Sequence, residues 1–134
     1  MDLENTQLMQ EQYHILRINR SIERLEKLGT SHRYPKGYIF DYREHHPDSV
    51  YYIKKGRIMA YEDAFDGEHR VYNIMRSGSL FLEEYVLFPK PCPVLFETIT
   101  DSELLKINRC DLIRAFKSDI DIVLDLLDSV CNKF

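Results

Sequence analysis

Between residues 37 and 107 the chain carries six short runs rich in β-branched and aromatic residues, each bounded by turn formers. They are Gly37–Phe40, Val50–Ile53, Arg57–Glu62, Arg70–Met75, Phe96–Thr100 and Glu103–Ile107. Such runs pack well on a pleated surface and are too short for helices. Asp66-Gly67 falls between two of them and supplies the positive backbone angles of a tight hairpin. Pro35 and Gly37 break any helix ahead of the first run. Regular short strands joined by such turns predict an antiparallel barrel or sandwich of six to eight strands.

Both flanks have a different period. Leu8, Ile15, Ile18, Ile22 and Leu25 recur at helical steps, and Gly29 suits a left-handed stop, so a helix is expected from about Thr6 to Leu28. Asn108 is placed to cap a short helix through about Phe116, and Ser118 or Asp119 to cap a second. In that second helix Ile120, Val123, Leu124, Leu127, Val130 and Phe134 form an apolar stripe, with Asp121, Asp125 and Asp128 on the polar face. The stripe is still running at Phe134, as in a piece of a longer protein; the alternative is a short helix docked on the barrel. With no repeat, low-complexity stretch or linker, one domain is expected over 1–134. Its parts are an N-terminal helix (1–30), a β-barrel (31–107) and C-terminal helices (108–134).

Lys plus Arg number 18 and Asp plus Glu 22, a net charge of −4. The basic residues are scattered among acids and form no stripe, so the chain by itself is a poor DNA binder. No apolar run approaches the ~18 residues of a membrane span. The N-terminus is polar, with Asp2 and Glu4, unlike a signal peptide; a cytoplasmic location is expected. Cys92, Cys110 and Cys131 are odd in number and widely spaced, which fits reduced thiols rather than a disulfide framework. The prolines flanking Cys92 favour an extended, exposed loop, and Lys90 is the one nearby cation that would activate the thiol.

Several local motifs, in this order, resemble the effector domain of Crp/Fnr-type bacterial transcription regulators. Tyr34-Pro35-Lys36-Gly37 looks like the family's opening turn. The stretch from Val50 to Ile58, with Gly56 at the turn, looks like its strand-turn-strand signature. The Asp66-Gly67 hairpin, Gly78, the segment from Glu83 to Phe88 and the strand from Ser102 to Ile107 follow at family spacing. The resemblance covers about Ser31 to Phe134. It implies a mainly β fold with flanking helices: a double-stranded β-helix, or jelly-roll, barrel between an N-terminal helix and C-terminal helices. It also implies an effector-sensing, dimerising role. An unknown small molecule would bind the barrel and shift the population of final-helix positions. The stripe from Ile120 to Phe134 would form a homodimer seam. DNA contact would belong to a helix-turn-helix domain absent from this chain.

The departures bear on the effector. In members that bind cyclic AMP the resemblance implies a Gly-Glu-Leu step and, about ten residues later, an Arg-Ser or Arg-Thr pair that holds the phosphate. Here the step reads Leu82-Glu83-Glu84, and the later region reads Pro89-Lys90-Pro91-Cys92-Pro93-Val94, without arginine. Losing one charge-assisted bond removes roughly 1.5–3 kcal/mol. Cyclic AMP is therefore not the expected ligand. An iron–sulfur version would need N-terminal cysteines, and the first here is Cys92. The effector-pocket candidates are Tyr61, Tyr72, Arg76, Leu82, Glu83, Glu84, Tyr85, Cys92, Pro93 and Val94.

Two other classes compete. A cupin-like metalloenzyme would use histidines, but His45 and His46 are adjacent and would point to opposite faces of a strand; His69 would join only through folding. A stand-alone barrel acting by protein contact would need no effector. Glu83-Glu84 lacks a partner nucleophile, so no catalytic residue, metal or cofactor is expected.

Overall fold

The computed structural model describes residues 3–64 and 66–133, with side chains described for 3–9, 23–64, 66–128, 130 and 131. A helix, α1 (Leu3–Leu28), leads into β1 (Thr30–Tyr34), β2 (Ile39–Phe40), β3 (Ser49–Lys55), β4 (Ile58–Asp63), β5 (His69–Met75) and β6 (Leu80–Phe81). A five-residue helix, α2 (Glu83–Leu87), precedes β7 (Leu95–Thr98) and β8 (Ser102–Asn108), and α3 (Arg109–Ser118) and α4 (Ile120–Lys133) follow.

The strands form two antiparallel four-stranded sheets, ordered β1-β8-β3-β6 and β2-β7-β4-β5. No backbone pairing joins the sheets edge to edge among the described residues, so the jelly roll is two facing sheets rather than a closed barrel. Aromatic rings fill the space between them. Phe40 of the second sheet meets Tyr51 and Phe81 of the first at 4.8 and 5.4 Å, and Phe81 stacks on Phe96 at 5.0 Å. Ring pairs at these separations add to the stabilisation from area burial.

The turns form where glycine permits them. Gly56 joins β3 to β4 at φ 105°, and a Cβ there would run into the side chain of Ser102. Gly67 turns the β4–β5 hairpin at φ 80°. Both are conformations that residues with a Cβ disfavour.

Asn108 caps α3, its side chain accepting from the Asp111 N–H at 2.9 Å, and Asp119 caps α4, accepting from the Asp121 N–H at 3.1 Å. Arg24 of α1 grips this second cap, with Nε 2.8 Å from Asp119 and Nη1 3.0 Å from Asp121. On α1, Leu25 is buried, but Leu8, expected on the same apolar face, is exposed. The side chains of Ile15, Ile18 and Ile22 lie outside the described residues.

Helix α4 has two apolar sides. Ile122 and Leu126 are buried against the body, whereas Ile120, Leu124, Leu127 and Val130 are exposed and Val123 is half-buried. The stripe read from the sequence thus faces outward, and a different pair docks the helix. Phe134, the last member of the stripe, lies outside the described residues. Among the described residues no helix is long and apolar enough to cross a membrane.

Candidate functional site

The segment from Leu80 to Val94 carries most of the pocket candidates. Leu82 precedes α2 at φ 74°, the one positive φ outside glycine among the described residues. Its carbonyl accepts from the N–H groups of Tyr85 and Val86, both at 3.1 Å, so the left-handed residue starts the helix. That conformation costs an L-residue about 1–2 kcal/mol. The side chain is 1% exposed, and burying a leucine contributes about 1.5–3 kcal/mol. Packing therefore offsets the strain.

Beside Leu82, Glu83 and Val86 are fully buried, and Glu84 and Tyr85 are half-buried. Cys92 is also fully buried, which corrects the exposed loop expected from its proline flanks. Its N–H donates to the Tyr42 carbonyl at 2.9 Å and its thiol to the Val94 carbonyl at 3.2 Å. The long-range bond to Tyr42 draws the residue inward while Pro93 stays exposed. Burial, and then the neighbouring Cys92, push the Tyr85 phenol well above its usual range. The Lys90 ammonium lies 5.4 Å from the Tyr85 ring centroid, a cation–π contact rather than an open anion site.

Other candidates do not join this group. Phe40, Phe96 and Ala60 share one cross-strand row and are buried toward the first sheet. Tyr61 follows Ala60 and so points to the opposite, outer face. There its hydroxyl donates to Glu97 at 3.1 Å and its ring meets His69 at 4.6 Å. Burial and the Glu97 carboxylate push the Tyr61 phenol up to about 12. Tyr72 is the extra residue of a bulge, because Ala60 pairs with Asn73 while Tyr61 pairs with Val71. Tyr72 and Arg76 are both exposed.

His45 and His46 lie exposed in the loop before β3, and His69 pairs with Asp63 at 3.0 Å. Among the described residues no group of three or more His, Cys, Asp or Glu side chains is placed to hold a metal ion. An open groove of about 410 Å³ lies elsewhere, between α1, α3 and α4, lined by Arg24, Leu28, Arg114 and Ile122 among others.

One residue with no part in the sequence reading connects the α2 segment to the C-terminal helices. The Arg109 Nε–H donates to the Val86 carbonyl at 2.9 Å, and the Arg109 backbone N–H donates to the Asp48 carbonyl at 3.0 Å. Val86 O is one of the last carbonyls of α2, which lack partners within the helix. A cation in the first turn of α3 is disfavoured by about 0.3–1 kcal/mol, and a hydrogen bond from a charged group contributes about 1.5–3 kcal/mol. The bond outweighs the dipole. A basic residue at the wrong end of a helix was the available sequence signal for it.

Residues 31–119 match the profile of the Cyclic nucleotide-binding domain family. The chain belongs to that family. No curated protein matches the sequence. Among solved structures, the catabolite activator protein of Thermus thermophilus is similar, at 18% identity and TM-score 0.74 over 85% of this chain; the chain spans 54% of that protein's length. The sensor domain of the transcriptional regulator DNR from Pseudomonas aeruginosa is similar at 14% identity and TM-score 0.67, over 98% of this chain and 91% of that one. The c-di-GMP responsive global regulator CLP of Xanthomonas campestris is similar at 21% identity and TM-score 0.68, over 84% of this chain and 61% of that one. The fold is thus shared with Crp/Fnr-type regulators.

Leu82 adopts a glycine-like backbone angle while carrying a buried side chain.

Proposed function

We propose that this cyclic nucleotide-binding domain is the effector-sensing, dimerising part of a Crp/Fnr-type transcription regulator, and that its ligand is not cyclic AMP. The observation that carries the reading is Leu82. A side chain with its backbone at φ 74° is buried in the core, at the position where the resemblance implies a glycine. Pro89, Pro91 and Pro93 remove backbone donors from the stretch where the pattern supplies an arginine. The pocket candidates are Leu82, Glu83, Glu84, Tyr85, Cys92, Pro93 and Val94.

The relatives span different chemistries: one is c-di-GMP responsive, and another, CprK, is solved in complex with o-chlorophenolacetic acid. A segment that sets Tyr85 beside the carboxyl groups of Glu83 and Glu84 suits an aromatic effector better than a phosphate. The outward stripe of α4, from Ile120 through Leu124 and Leu127 to Val130, is the homodimer seam, with Val123 and Phe134 extending it. In this reading DNA contact belongs to a separate domain. The protein is cytoplasmic and non-catalytic in this reading.

Amide NMR during titration with cyclic AMP and with chlorinated phenylacetic acids tests the reading. An effector should move resonances of α2 and of α4 together. Binding confined to other surfaces, or saturable binding of cyclic AMP at α2, would sink it.

A further inference from the structure

The C-terminal helices have to sense the state of α2 by some physical path. Helix α2 is five residues long and packs on β3 and on α4. A hydrogen bond also joins it to the start of the C-terminal helices: Arg109 Nε–H to Val86 O at 2.9 Å, partly buried, across 23 positions of sequence. Arg109 is also where strand becomes helix. It is the first residue of α3, directly after the Asn108 cap, and its backbone N–H is held by Asp48 at the entrance to β3. Its position is therefore fixed at the backbone by the first sheet, while its guanidinium reads the end of α2.

We propose that Arg109 is the positioning residue that couples α2 to the C-terminal helices. A shift or unwinding of α2 moves or breaks the Val86 carbonyl contact. The planar guanidinium, whose Nε–H direction is set by its side chain, transmits that change to the first turn of α3. Helix α3 packs on α4, and Asp119, held by Arg24 at 2.8 Å, ends α3 and caps α4. The displacement thus arrives at the hinge of the proposed seam. This inference rests on the effector-domain reading for the meaning of the signal, but not for its path.

The test needs no effector. In the 134-residue chain, Tyr85→Ala perturbs α2 directly, and amide shifts are compared with and without Arg109→Gln, a double-mutant cycle in shift space. With Arg109 present, changes are expected around α2, in the first turn of α3 and at the start of α4. With Arg109→Gln the changes around α2 and where it packs on α4 persist, and those in the first turn of α3 are lost. Undiminished changes in the first turn of α3, or none there in the parent background, overturn the proposal.

Should Arg109→Gln fail to fold, Arg109→Lys keeps the charge without the Nε donor and is expected to show the same loss. The parent chain gives an independent reading. The Arg109 Nε–H should exchange slowly with water, whereas that of Arg114, whose side chain is 80% exposed, should exchange fast. Equal fast exchange overturns the proposal without any variant. If the coupling is present and no effector is ever found, the path stands and the sensing reading falls.

Discussion

The Tyr61 hydroxyl donates a 3.1 Å hydrogen bond to Glu97 on the outer face of the second sheet, turned away from the aromatic interior. Tyr61 is buried at 2% exposure, and the bond braces β4 against β7. Tyr61→Phe should cost about 1 kcal/mol in urea unfolding and leave α2 resonances unchanged.

The same contact sets a pH dependence. The folded phenol titrates at about 12, above its ordinary value of 10. A group whose folded pKa is raised contributes stability that is complete below the unfolded pKa and is lost as pH rises through the folded one. The urea midpoint should fall between about pH 10 and 12, and fall less steeply in Tyr61→Phe. Equal slopes would show that Tyr61 keeps an ordinary pKa.

Gly56 and Gly67 both adopt positive φ, but their surroundings differ. A Cβ on Gly56 meets Ser102, and one on Gly67 meets nothing within 4 Å. Gly56→Ala should therefore lose more than Gly67→Ala, whose strain is about 1–3 kcal/mol. Paired urea melts decide it, and equal losses would mean that the Ser102 contact relaxes freely.

Leu82→Gly separates strain from packing. Removing the side chain relieves about 1–2 kcal/mol of left-handed strain and forfeits about 2–5 kcal/mol of core contact. A net loss of stability is expected. A net gain would mean that the Leu82 side chain contributes little to the core.

The thiols should fall into two classes. Cys110 and Cys131 are exposed and Cys92 is buried. A chromogenic disulfide reagent should titrate two thiols rapidly in the native protein and the third only on unfolding. Rapid reaction of all three would show that the 89–94 loop opens.

How much of this was legible in the sequence depended on whether the determining contact was local. The six runs became β2, β3, β4, β5, β7 and β8 because β-branched and aromatic side chains favour a pleated surface wherever it forms. β1 was not singled out: Thr30–Tyr34 is polar and mostly exposed, paired only with β8, so it carries no alternation. β6 has two residues, too few for any period. Asn108 was readable as a cap, and Asp119 as one of two choices with Ser118, because capping is a short-range event.

The burial of Cys92 was not readable, since prolines report local extension while the bond to the Tyr42 carbonyl is long-range. The outward turn of Tyr61 was not readable without register, because one position decides which face a side chain takes. The substitution at Leu82 was visible in the sequence. That its backbone keeps a glycine's angle was not.

Thermal unfolding with and without a large excess of cyclic AMP tests most directly the proposal that the ligand of this cyclic nucleotide-binding domain is not cyclic AMP. A ligand at about 100 times its Kd stabilises by about 2.7 kcal/mol, which raises the midpoint of a domain of this size by several degrees. The account predicts coincident melts. A clear rise in the midpoint, abolished by Glu83→Ala, would contradict it and make the Leu82 segment a working nucleotide site.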